Sequence, residues 1–590
     1  MPVRGLPKIG LLADRSAAVA PFLAVLAPML VASAGFALDA AVYYVANREL
    51  RTATEAAALV AAQDPGNAQA RARQYLQNNG YPADVIRSVT VGRYCADSGR
   101  AAEARFATNV AACPGNGQVN AVRLVTESES RQYLTRMLPV DPIPPLSATA
   151  TAARIDEAGI GVTSGLLNVT NSLVLSVNNL LGALLGVQLR LTPTEIAALN
   201  SGSVDAGLFF DALAARVGET GTYRQLLQRS VPLSDILQAA ASAADSNTAG
   251  VLNRLAGIIG PSYRVPLDGL FDLGVWENLR VGEANEPQAL RAGLNPYQLF
   301  SYAVQEGPGT LDLSNAVNIV VPGSTVRVVG LATGNGDRPR FSFGPEGETS
   351  AGTSVLRLQI QLGLGDINVL GDAVSVNSVP VLIDVAAGQA EVTDIDCTAT
   401  SEQARDTRVT VRATSGLVNA YIGEAPPNAM SRSVPPLSAS NIQPARIVNL
   451  LSLVTVDARA VAQPVVGAAG NAVFGPGGQG TIGRPPIPGR PVTIGNTAQT
   501  GALIGSLTTS LAAPGGLEVR ILGLCLPLVC TSAQQSVRTQ VVGAVGSALS
   551  GLLGSTVDPL LDSLLAALGV QLGQVTVTAT GARCGVSVLV

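Results

Sequence analysis

From Ala17 to Leu38 the chain carries no charged residue, and past Asp39 its apolar positions fall into a second, sparser pattern. An uncharged run of that length makes a helix of about 33 Å, which matches a hydrocarbon core of about 30 Å. Pro21 and Pro28 are tolerable in a membrane helix as mild kinks. From Ala40 to Gln63 the composition still favours helix, until Pro65-Gly66 stops it. Within that stretch Tyr43, Ala46, Leu50, Ala53, Ala57 and Val60 recur at three- and four-residue spacing, a helix-packing seam, while Arg48, Glu49, Arg51 and Glu55 lie elsewhere on the helix. Alanine at positions 46, 53 and 57 permits close approach by another helix. The seam packs either on the chain's own domain or on a partner helix, and it is carried forward as an expected assembly surface.

The rest of the chain alternates between the two periods. Pro139 to Pro145 marks a Pro-rich linker. Gly165 to Leu191 is apolar enough to resemble a second span, but Asn168, Asn171, Asn178 and Asn179 make that costly, so a buried helix in an exported domain is expected. Phe209 to Arg216, Tyr223 to Gln228 and Leu233 to Ala244 read as helices. After Leu267 the period changes to two: Leu356, Leu358, Ile360 and Leu362 alternate with Arg357, Gln359 and Gln361, and Val409, Val411 and Ala413 with Arg408, Thr410 and Arg412. Ser324 to Leu331 and Val379 to Asp396 read similarly. Val466 to Gly495 is dense in Gly and Pro and reads as a loop, and Val541 to Leu568 returns to helix before a strand at Val575 to Thr580. The expected fold is α+β: an N-terminal transmembrane helix continuing into an Ala-rich helix, then helical and strand-rich exported domains. The boundaries fall at 1–15 (cytoplasmic tail), 16–38 (transmembrane helix), 39–138 (Ala-rich helix and small exported module), 139–150 (linker), 151–300 (mainly helical), 301–465 (strand-rich), 466–500 (Gly/Pro-rich loop) and 501–590 (C-terminal helix plus strand).

Charge sets the orientation. Arg4, Lys8 and Arg15 against Asp14 place the N-terminus in the cytoplasm by the positive-inside rule. A cleaved signal peptide ending at Ala32-Ser33-Ala34 would export the same remainder, but the apolar run continues past that point into a strong helix, which favours an uncleaved anchor. The net charge of −4 comes with no basic stripe beyond the first fifteen residues, so nucleic acid is not an expected partner. The chain has no His, which excludes Ser-His-Asp and Cys-His catalysis and His-ligated zinc or haem. Its one Lys, Lys8, lies on the cytoplasmic side of the span.

Six cysteines in an exported chain point to disulfides. Proximity pairs Cys95 with Cys113 and Cys525 with Cys530, leaving Cys397, which ends an alternating run, for Cys584, which follows one. Cys525-Leu-Pro-Leu-Val-Cys530 is not the redox C-x-x-C motif, and Gly475-Pro-Gly-Gly-Gln-Gly480 lacks the Lys-Ser/Thr of a phosphate loop. Nothing marks one carboxylate pair among the acids, so no catalytic, cofactor-binding or metal residues are assigned and no cofactor is expected.

The stretch DRSAAVAPFLAVLAPMLVASAGFALDAAVYYVANRELRTATEAAALVAA resembles the N-terminal segment of TadG-like Tad/Flp pilus-assembly proteins. The family's Gly-x-x-x-Asp exit is matched by Gly35 and Asp39, and its Leu-x-x-Ala-x-(Asp/Glu)-Ala-Ala-Ala helix by Leu50, Ala53, Glu55, Ala56, Ala57 and Ala58. Some relatives carry a von Willebrand-type metal site, but the nearest string, Asp312-Leu313-Ser314-Asn315-Ala316, lacks its second Ser. The resemblance implies a structural or assembly factor, not an enzyme, in the bacterial inner membrane with its bulk periplasmic or extracellular. The implied partners are the membrane and other pilus-assembly or pilin-like proteins, or a second copy. The alternatives are an exported carboxylate-based hydrolase or a surface adhesin with a membrane anchor.

Overall fold

The computed structural model describes residues 19–95, 100, 104–113, 119–130, 133, 144–163, 171–282, 292–307, 310–311, 318–321, 324–334, 338–363, 366–369, 372–375, 378–397, 407–431, 437–450, 454–462, 467–495, 499–521, 539–540, 543–544, 547, 551 and 573–590. The chain forms two compact units, Met1–Ile155 with Gly585–Val590, and Asp156–Cys584. The α+β class is as expected.

Unit 1 begins with helix α1, Val19–Ala62, which runs unbroken through Pro28. The apolar span and the Ala-rich segment are therefore one rod of 44 residues, about 66 Å long. Its end is followed by a short turn at Pro65–Asn67 and by α2, Ala68–Asn78. Strands β1 (Ile86–Tyr94), β2 (Phe106–Ala107) and β3 (Ala121–Ser128) follow, then the first half of β4 (Leu146–Thr163), in the antiparallel order β2-β1-β3-β4. Leu146 to Ala153 pair with Ser128 to Ala121, so the stretch read as the end of a linker is strand. Its burial alternates from Leu146 to Ala150, with Leu146, Ala148 and Ala150 inside. The Pro-rich composition hid this, and alanine is a poor strand signal. Val590 closes unit 1 by donating its backbone N–H to the carbonyl of Thr151 at 3.0 Å.

Unit 2 joins regions read as separate domains. Its helices include α3 (Asn171–Leu185), α4 (Pro193–Ser201), α5 (Ala206–Val217), α6 (Tyr223–Leu227), α7 (Leu233–Ser242), α8 (Ser246–Ile259) and α9 (Pro296–Glu306). Local sequence explains their ends: Thr192 with Glu195 and Thr222 with Gln225 form capping boxes, and Gly218 ends α5 in the left-handed region. Asn178, one of the four residues that argued against a second span, clamps the loop after α3 by bonding both the carbonyl and the N–H of Leu191. Phe209, Phe210, Phe271, Phe341 and Tyr302 form a chain of ring contacts at centroid separations of 4.9–5.8 Å.

The alternating runs are strands. Val355–Gly363 lies between Ser324–Gly334 and Val379–Val385 in one sheet, and Thr407–Thr414 lies between Gln389–Cys397 and Ala469–Phe474 in another. A core of Ile160, Val162, Val392, Val409, Val411, Phe474 and Val577 backs the second sheet. The Gly/Pro-rich stretch from 466 to 495 is only partly loop. Ala469–Phe474 pairs along Thr407–Thr414, and Val492–Gly495 pairs with the C-terminal strand Gln574–Leu589. Strand partners supplied by distant sequence overcame the local glycines. The helix expected at Val541 to Leu568 lies almost wholly outside the described residues.

Candidate functional site

The feature with the most distinctive organisation is α1 and the module built on it. Along its first half the rod carries bare apolar side chains: Phe22, Met29, Leu30, Val31 and Phe36 are 63–70 % exposed, although all are large. Among the described residues α1 is the one helix long and apolar enough to cross a membrane. Toward its other end one stripe is covered. Leu50, Thr54, Ala57, Ala58, Ala61 and Ala62 are each at most 1 % exposed.

That stripe contains the seam. Leu50 and Ala57 belong to a core with Leu76 of α2, Val122 and Leu124 of β3, and Ala148, Ala150 and Ala152 of β4, and Tyr43, Ala46 and Ala53 pack against it half-buried. Val60 is half-buried. The seam meets α2 and the sheet of its own unit, which is the first of the two alternatives the sequence leaves open. The surface packed on Ala46, Ala53 and Ala57 belongs to the same unit. Thr54 adds a polar fastening: its Oγ1 lies 2.7 Å from the carbonyl of Leu50 and 2.6 Å from Oγ1 of Thr126 on β3, all buried.

The covered stripe continues toward the span through Asp39 and Gly35, both buried. Oδ1 of Asp39 accepts the backbone N–H of Tyr133 at 3.1 Å. Asp39 is the charged residue that ends the uncharged run, and its burial gives that position a second role. On the far edge of the module a disulfide joins Cys95 and Cys113. Cys95 donates its N–H to Arg105 at 2.7 Å, and Arg100 reaches the carbonyl of Ala112 at 3.2 Å. Gly92 is required where β2 crosses β1, since a Cβ there would stand 2.5 Å from the Ala107 carbonyl.

Unit 2 holds several buried charges, each tied to internal partners. Arg340, fully buried, donates to Glu306 at 2.6 Å, to the carbonyl of Gly352 at 2.9 Å, and to Ser354. Arg357, expected on the polar face of its strand, is instead buried. It forks onto Asp384 across the neighbouring strand at 3.2 and 3.0 Å. Glu157 accepts the Trp276 indole N–H at 2.9 Å, and the Arg583 guanidinium stands 4.5 Å from that ring's centroid. Burial pushes the Glu157 carboxyl up to about 7, against the opposing influence of Arg583 and Trp276.

A second disulfide joins Cys397 and Cys584. The carboxylate of Asp156 lies close to both sulfurs, but sulfurs bonded to each other are not thiolate ligands. A cavity of about 390 Å³ is lined by Gln359, Ala425, Pro426, Asn428, Ala429, Met430 and Ser431, none of them an acid. Cys525, Cys530 and the string from Asp312 to Ala316 lie outside the described residues. No local pattern could have found the long-range groupings Asp39–Tyr133, Glu157–Trp276 or Arg340–Glu306, because each joins segments far apart in sequence.

No curated protein and no solved structure matches the chain. Residues 175–293, from within α3 to just before α9, match a domain of unknown function, DUF8293. Residues 54–152 match the family described as "Putative Tad-like Flp pilus-assembly". That match begins at Thr54 and ends in β4, so it covers the module packed on the buried end of α1 and lies mostly downstream of the N-terminal segment that carries the TadG-like resemblance. The part of unit 1 built on the end of the chain's long apolar helix is thus the part similar to that pilus-assembly family.

Proposed function

We propose that this chain is a single-pass component of the bacterial envelope that serves Tad-like pilus assembly as a structural or assembly factor. In this reading α1 anchors it in the inner membrane, its N-terminus is cytoplasmic, and both units are exported. The observation that carries the reading is the change in character along α1. One unbroken helix presents bare apolar side chains in its first half and buries its seam in the Tad-like module in its second. A rod of this kind transmits the position of the bilayer to the module without a flexible joint. The charge asymmetry around the span supports the orientation, and the disulfides suit an oxidising compartment.

Export-dependent reporters fused after Pro65 and after residue 150 test the topology, and both are expected to be active. An inactive fusion at 150 refutes it. Deletion of the gene, complemented by the full chain or by a chain lacking residues 19–38, tests the role. Surface pili are expected to be lost on deletion and restored only by the full chain. Unchanged piliation after deletion refutes the assembly reading.

A further inference from the structure

The exposed apolar face of α1 does not stop where the uncharged run stops. Leu38, Tyr44 and Val45 are 52, 70 and 53 % exposed, turned away from the covered stripe. The next exposed charges on the helix are Arg48 and Glu49, because Asp39 is buried. Tyr44 stands about 8 Å above Asp39 along the axis, at five residues of 1.5 Å each. A bilayer is about 30 Å thick in hydrocarbon and about 40–45 Å with its headgroups, so each interfacial layer is some 5–8 Å deep. With the hydrocarbon ending near Leu38, the backbones of Tyr44 and Val45 stand about 9 and 10.5 Å beyond it, just past that layer; their side chains lean back toward the helix N-terminus and so into it, while Arg48, about 15 Å beyond, reaches water. Tyr133 starts one step inside that level, at the inner edge of the layer, since its backbone is bonded to Asp39 while the residue is 54 % exposed.

We infer that Tyr44, Val45 and Tyr133 form a collar by which the module of unit 1 rests on the phospholipid interface of the outer leaflet, with Asp39 as the positioning residue that holds Tyr133 at that depth. The inference rests on reading α1 as a span. What covers this face is the bilayer that covers Phe36 and Leu38, because the face is continuous with theirs. Tyrosine suits the layer, with an apolar ring and a hydroxyl that stays hydrated. The Asp39 carboxylate is compatible with the boundary because it is enclosed by the module and accepts an N–H instead of facing lipid.

The full-length chain, reconstituted in vesicles of phosphatidylcholine and phosphatidylglycerol, tests the collar by tryptophan quenching with bromine placed near the carboxyl end of the acyl chains. Four variants carry the probe: Phe36→Trp, Tyr44→Trp, Tyr133→Trp and Thr52→Trp. The buried Trp276 of the unsubstituted chain supplies the background. Emission from positions 36, 44 and 133 should fall at least twofold in brominated lipid, while that from exposed Thr52→Trp stays unchanged. Quenching at 36 with none at 44 and 133 overturns the collar and leaves the span intact. No quenching at 36 overturns both. Adding Asp39→Leu should abolish quenching at 133 but not at 44, and Asp39→Asn, which keeps an acceptor, should preserve both. Persistent quenching at 133 in Asp39→Leu overturns the positioning role.

Discussion

Replacing Thr54 by Val tests how α1 is fastened to its module. Thr54 and Thr126 are both fully buried, with their hydroxyl oxygens 2.6 Å apart. Two protons serve three contacts. Thr54 donates to the Leu50 carbonyl at 2.7 Å, and Thr126 donates to Thr54, with the Ala148 carbonyl at 3.4 Å as its weaker alternative. Valine keeps the volume at 54 but strips Thr126 of its good partner, so Thr54→Val should cost about 2–3 kcal/mol: a net hydrogen bond plus part of the desolvation penalty of a poorly paired hydroxyl. Thr126→Val leaves the Thr54 donation intact and should cost about 1 kcal/mol. The double variant leaves no hydroxyl to satisfy and should also cost about 1 kcal/mol, giving a coupling of about 2–3 kcal/mol. Hydrogen exchange of the full chain in detergent reads the effect on peptides from α1 and β3, where about 1.4 kcal/mol is a tenfold change in exchange. Single effects that add in the double variant would refute the shared bond.

Two further outcomes follow from unit 2. Burial holds the Glu157 proton up to about pH 7 in the native state, whereas the ordinary value is 4.5. The native state therefore binds more protons between those values, and unit 2 should lose stability as pH rises from about 4.5 to 7, by about 3 kcal/mol, then level off. Glu157→Gln should abolish that slope in thermal unfolding, and an unchanged slope would assign it to another group. Removing the Cys397–Cys584 bridge, which spans 187 residues, should cost about 5 kcal/mol in the chain-entropy picture. Removing Cys95–Cys113, which spans 18, should cost about 3 kcal/mol. Limited proteolysis of the paired Cys→Ser variants should show the larger loss of protection for the first, and the reverse order would contradict the picture.

What could be read from the sequence was whatever depends on neighbours three or four, or two, residues away. The uncharged run and the Ala-rich seam located α1, and the alternation at Leu356–Leu362 and Val409–Ala413 located two sheets. The seam's periodicity said that a face is covered but not by what, because a buried alanine stripe looks alike whether it meets a second chain or its own β3. The strands at Ala469–Phe474 and Val492–Gly495, inside a stretch dense in Gly and Pro, were missed because their stability comes from partners at Thr407–Thr414 and Gln574–Leu589. Arg357 was assigned to solvent because Asp384, which makes its burial tolerable, lies on the next strand. The charge of Asp39 was visible in the sequence but its enclosure was not, because Tyr133, which bonds it, lies 94 residues away.

The return of Gly585–Val590 to unit 1 makes the order of export matter. In the topology proposed above, the anchor and its module would leave the cytoplasm first, yet the strand that completes them would arrive only after all of unit 2 had crossed. During that passage the backbone groups of β4 near Thr151 wait without the partner that Val590 supplies. An unfinished edge held against the membrane is a template for mispairing with neighbouring chains. In that topology translocation speed, or a periplasmic holdase that shields the edge, would become a determinant of yield. A chain stalled partway would be distinguishable from a finished one at its membrane-proximal end.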